Sequence, residues 1–98
     1  MKFWIKVQKV MQEHREEIVV AVCDEDLLGK EFGYFKISEH FFKGELVDAD
    51  TAFKLLEEAT IANLVGNKIV NEALKRNFVQ EDGVKKIHNI MHAQVFLL

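Results

Sequence analysis

A single cysteine, Cys23, stands in a chain of 98 residues, so no internal disulfide can form. Proline is absent, and with many Glu and Lys this composition is compatible with a heat-adapted source. No segment approaches the ~20 consecutive apolar residues of a membrane span. The opening M-K-F-W-I-K-V-Q-K lacks an apolar stretch long enough for a signal peptide, so a soluble cytoplasmic protein is expected. Positive charge is also short. A net charge of −3 argues against a general electrostatic grip on nucleic acid, which needs a concentrated cationic surface. Lys2, Lys6 and Lys9 near the start, and Lys75, Arg76, Lys85 and Lys86 near the end, read as solvated charges.

What is present is a globular composition, 49% hydrophobic and 30% charged. The length suits one domain, residues 1–98, with a self-sufficient core. The most informative stretch is Ile18 to Lys30, I-V-V-A-V-C-D-E-D-L-L-G-K. Its β-branched run, without alternation, predicts a strand buried on both faces. The run stops at Cys23 and Asp24, with Gly29 and Lys30 close behind. A thiol, carboxylates and an amine are thereby set at the mouth of the most buried strand.

Around that strand the remaining elements can be placed. Phe3, Ile5 and Val7 alternate with polar neighbours, predicting a first strand hairpinned to the Ile18 strand through polar residues 12–15. Tyr34 to Ser38 alternates as a third short strand, and Ser38 can cap a turn through Glu39 to Lys43. Asp48 reads as a helix N-cap. From Ala49 to Val65 the apolar period becomes helical, with Ala52, Leu56, Ala59 and Asn63 on one stripe. Gly66 suits the end of that helix and Asn67 the cap of a second, ending near Asn77. Val84 to His88 and Ala93 to Leu98 predict two closing strands. The order strand-strand-strand-helix-helix-strand-strand indicates an α+β domain: a mainly antiparallel sheet of about five strands with two helices on one face.

No motif specifies a reaction. Asn63, on an apolar stripe, requires hydrogen-bond partners, either a structural bond to neighbouring backbone or a ligand in a pocket. Cys23 reads first as an inert buried thiol; as a nucleophile it would need a base or cation, with His92, His88, His40 and Lys30 the candidates. Asp24 and Lys30 read as an ion pair closing a turn. His88 and His92 have a helical chelating spacing but lie in strand-like sequence without the metalloprotease glutamate, so no metal is assigned. D-L-L-G-K-E-F-G lacks the phosphate-loop spacing, and no cofactor is implied. Ile61 and Val65, on the outward side of the expected helix, mark a candidate homodimer or partner contact.

Four ordered blocks, A-V-C-D-E-D-L-L-G-K (21–30), G-E-L-V-D (44–48), E-A-T-I-A-N-L-V-G (58–66) and H-A-Q-V (92–95), resemble a small archaeal family known as domain of unknown function 424. The resemblance implies an archaeal cytoplasmic protein with no assigned activity and an association with translation genes. Matched by position, it emphasises Cys23, Asp24, Gly29, Lys30, Asn63, Gly66, His92 and Gln94. The chain departs from the family pattern in a longer first hairpin and in Asn89-Ile90-Met91, where a Gly/Pro-type turn is the rule. The resulting expectation is a non-catalytic binding module serving RNA or a ribosome-associated protein. Its pocket would be built from Cys23, Asp24, Gly29, Lys30, Asn63, His92 and Gln94. The alternatives are a small enzyme with a Cys23/His92 nucleophile–base pair, and a structural or homodimeric protein using Ile61 and Val65.

Overall fold

The computed structural model describes residues 1–97. Strands β1 (Lys2–Gln12) and β2 (Arg15–Asp24) form the long antiparallel hairpin that the alternation predicts. Its two-residue loop, Glu13-His14, takes positive φ at both positions (50° and 67°), which matches the twist of the flanking strands. After β2 the chain leaves the sheet. A 3-10 turn, the small hairpin β3 (Glu31–Phe32) and β4 (Phe35–Lys36), and the short helix α1 (Glu39–Phe42) form an excursion that returns through β5 (Glu45–Asp48). Ser38 caps α1 by accepting from the Phe41 amide, and Asp48 caps α2 (Ala49–Leu56) by accepting from the Thr51 amide at 2.9 Å.

The expected helix from Ala49 to Val65 is corrected by the structure: it stops at Leu56, and Ile61–Val65 forms strand β6. The break is made at Thr60. Its main-chain amide donates to the Ile18 carbonyl at 2.9 Å, and its hydroxyl accepts from the Ile18 amide at 2.8 Å, drawing the chain into register beside β2. β6 then runs parallel to β2 and antiparallel to β8 (Ile90–Phe96), so its main-chain groups pair on both sides. Helix α3 (Asn67–Lys75) and strand β7 (Val84–Ile87) complete a mixed six-stranded sheet in the order β5-β1-β2-β6-β8-β7. The expected third strand at 34–38 is not in this sheet; only Phe35 and Lys36 pair, with β3, in a separate two-stranded hairpin.

Successive strand residues face opposite sides, which divides the sheet into two chemistries. On one side Phe3, Val20, Val22 and Leu64 meet Leu56 of α2 and Ile69 and Val70 of α3, forming the principal core. Two helices on this face agree with the expectation, whereas α1 packs on the other face. There Ala21, Cys23 and Val65 are covered by Ile37 and Phe42 of the excursion. The second core stops short of the β7 edge and leaves a hollow between excursion and sheet.

Candidate functional site

The hollow follows from strand register. In one row Ala21 lies opposite Asn63, and Asn63 opposite Gln94; in the next, Cys23 is followed by Val65, His92 and Lys85. Residues paired in this way point to the same face. Asn63, His92, Gln94 and Lys85, scattered along the chain, therefore lie together across β6, β8 and β7. Phe35, Lys36, Ser38 and Phe41 of the excursion close the opposite side, enclosing about 500 Å³. That volume falls within the range of small-ligand sites, roughly 300–1,000 Å³.

The floor is polar and lacks protein partners. Among the described residues neither the Asn63 nor the Gln94 carboxamide makes a side-chain hydrogen bond. Nε2 of His92 is buried without a hydrogen-bond partner among those residues. The His92 ring is held edge-on by Phe35, with centroids 4.6 Å apart. Burial lowers its pKa, so the imidazole is neutral at neutral pH. The rim carries charge. Lys36 lies 3.9 Å from Glu31, whereas Lys85 has no carboxylate within ion-pairing distance among the described residues. Among the described residues no carboxylate lines the hollow.

The expected site is thus only partly assembled here: Asn63, His92 and Gln94 come together, and the others do not. Cys23 shares their face but is sealed beneath the excursion, and Val65 stands between it and His92 in the cross-strand row. Two strand spacings amount to about 10 Å, too far for a nucleophile–base hydrogen bond. Burial, then Asp24, then Asp26 push its thiol pKa up to about 12, which keeps it protonated. The pairing of Cys23 with His92 is therefore corrected.

Asp24 faces the helices instead. Its carboxylate accepts the amides of Lys68 and Ile69 at 3.0 and 2.9 Å, capping α3 from 44 and 45 positions away. This replaces both the expected ion pair with Lys30 and the expected cap by Asn67. Burial raises the Asp24 pKa, while the two amides pull it down. Gly66 precedes α3 at φ +128°, and a Cβ there would collide with the Asp24 carboxylate. Asn67 fastens the β7–β8 turn, donating to the Asn89 carbonyl and accepting from the Met91 amide.

Gly29 and Lys30 act through main chain: the Gly29 amide donates to Ile37, and the Ile37 amide donates to Lys30. They anchor the base of the excursion, and neither lines the hollow. The exposed Ile61–Val65 pair is also corrected. Val65 is buried beneath the excursion, and Ile61 is half-buried between Val19 and Phe96 in the cross-strand row.

Phe35, Phe41, Lys36 and Lys85 were missed from sequence. The available signal was the density of phenylalanine in a short irregular segment (Phe32, Phe35, Phe41 and Phe42), too apolar for a solvated loop.

The architecture is that of a small α+β protein with a lined hollow on the sheet face away from its main helices. Residues 12–98 match the family described as "Protein of unknown function (DUF424)", and the chain belongs to that family. It is also similar to a solved structure, "Crystal structure of an uncharacterized conserved protein from Methanopyrus kandleri". The two share 25% identity at a TM-score of 0.79, over 100% of this chain and 93% of the other. No curated protein matches.

Proposed function

We propose that this chain is a non-catalytic, cytosolic binding module whose hollow takes part of an RNA. The observation that carries the reading is the cluster of Asn63, Gln94 and His92. These are three neutral polar side chains on adjacent strands, open to the hollow and without protein partners among the described residues. Of the three, only Nε2 of His92 is withdrawn from water without a partner; Asn63 and Gln94 stay open beside it, so a ligand entering the hollow meets hydrogen-bonding groups that the fold itself does not use. The phenylalanine wall and the unpaired Lys85 favour RNA, whose single-stranded segments combine flat apolar base faces with a phosphate at each step. Among the described residues no three metal-ligating side chains gather and no helix is long and apolar enough to cross a membrane.

Capture of RNA from cell extract on the immobilised protein tests the reading. RNA should be recovered in a salt-sensitive manner, and several-fold less should be recovered on the Asn63→Leu/Gln94→Leu variant. Absence of RNA, or equal recovery on both proteins, overturns it.

A further inference from the structure

We propose that the hollow binds one unstacked nucleobase with its phosphate, the Asn63 and Gln94 carboxamides reading the edge of the base and Lys85 holding the phosphate at the rim. The proposal rests on the reading of the hollow as a ligand site and names the chemical unit that enters it.

The distribution of charge leads to that unit. The floor holds two carboxamides and an imidazole, and the cationic groups, Lys36 and Lys85, come from the excursion hairpin and the edge strand. A free carboxylate or an acidic side chain would place its charge against a floor without a cation. A purely apolar ligand would strand three polar side chains. What fits is an uncharged body with a hydrogen-bonding edge and a peripheral anion, and a nucleotide has that form.

The carboxamides suit the edge of a base. Each presents a donor and an acceptor side by side, the pattern with which Asn and Gln make paired hydrogen bonds to bases. Asn63 and Gln94 are direct cross-strand partners, so their Cβ atoms stand about 5 Å apart. Two adjacent carboxamides at that spacing can address neighbouring groups along one base edge. His92, two residues from Gln94 along β8 and therefore facing the same way, adds an unpartnered ring nitrogen beside them. Phe35 and Phe41 offer the flat apolar surface on which a base leaves its stack, and the hollow is large enough for one base with its sugar.

The test uses the full chain, isotopically labelled, titrated with AMP, GMP, CMP, UMP and ribose 5-phosphate. Single-stranded RNA heptamers of each base are titrated in parallel by fluorescence anisotropy. At least one mononucleotide should shift the Asn63 and Gln94 side-chain amide signals and bind about tenfold more tightly than ribose 5-phosphate. Asn63→Leu and, separately, Gln94→Leu should remove the preference among bases. Gln94 is exposed, so its variant remains informative if the Asn63 variant folds poorly. Lys85→Ala should weaken every nucleotide by a similar several-fold factor and reduce the salt dependence.

If RNA binds through Asn63 and Gln94 but no mononucleotide does and no base is preferred, base reading is overturned and the RNA-binding module stands. Mononucleotides bound without RNA would uphold the proposal with a free nucleotide as ligand and overturn the RNA reading. If neither binds, both fall.

Discussion

Ile69 donates its main-chain amide to Asp24 Oδ1 at 2.9 Å, joining the end of the central strand to the first turn of α3. Lys68 makes the companion bond to Oδ2, and Gly66 leaves the room in which the carboxylate sits. Asp24→Ala strands two amides at a partly buried helix end and should cost about 2 kcal/mol of stability. Asp24→Asn keeps one acceptor oxygen and should fall between the two. Gly66→Ala should be at least as damaging as Asp24→Ala, since it combines a steric clash with a positive φ. Urea unfolding of the three variants checks this. An Asp24→Ala protein within about 0.5 kcal/mol of the parent would remove the fastening role assigned here.

Asn63 offers the opposite case. Its strand lies between β2 and β8, and its carboxamide finds no protein partner among the described residues. Asn63→Val supplies a residue suited to a central strand at a half-buried position where the carboxamide makes no bond within the fold, so it should raise stability by up to about 1 kcal/mol. Ligand binding should be lost in the same protein, a trade common where function retains a locally unfavourable residue. A clear loss of stability on substitution would make Asn63 a structural residue.

These two residues also show what the sequence could disclose. The caps at Ser38 and Asp48, the first hairpin and the buried Ile18 strand rest on local chemistry, and local chemistry is legible. The segment 49–65 is not legible in this way. A short apolar run satisfies helical and strand patterns alike, and the decision was made by Thr60 bonding to Ile18, 42 positions earlier. Asn63 therefore stands out in the sequence for the wrong reason, as a polar intruder in a helix, whereas it lies on strand β6 and lines the hollow. His92 and Gln94 came from family resemblance. Lys85 joined them only through strand register, which no sequence-local pattern reveals.

Cys23 should behave as an unreactive thiol. It is fully buried, and burial with the nearby Asp24 and Asp26 raises its pKa to about 12. Alkylation by iodoacetamide at pH 8 should run roughly a hundredfold slower in the native protein than in urea, because access requires opening of the fold. Rapid native labelling, with a midpoint near that of free cysteine or below, would return Cys23 to the candidates for chemistry.

His92 carries a pH dependence of defined sign. Burial lowers its pKa from 6.5, so the folded state binds this proton less readily than the unfolded chain. Its contribution is fully present above pH 6.5 and declines as pH falls through the lowered folded value. His92→Gln should flatten this part of the profile while leaving stability at pH 8 within about 1 kcal/mol of the parent. Urea midpoints from pH 4 to 8, with the His92 ring proton titration, decide it. A titration midpoint at or above 6.5 would contradict the burial argument.

The first hairpin provides a test independent of the hollow. Glu13 and His14 both adopt left-handed φ, 50° and 67°, in a two-residue loop that favours Asn followed by Gly. Neither side chain there makes a hydrogen bond or ion pair among the described residues that substitution would sacrifice. Glu13→Asn with His14→Gly should therefore stabilise the protein by up to about 1 kcal/mol, or roughly 4–8 °C in Tm for a chain of this size. The analogous loop, His88-Asn89, differs: His88 lies against Gly33 of the excursion, and the Asn89 carbonyl accepts from Asn67. His88→Gly should relieve backbone strain yet loosen the support of the β3–β4 hairpin, giving little net gain in Tm. An equal gain at both turns would show that the second turn contributes nothing to holding the excursion over the sheet.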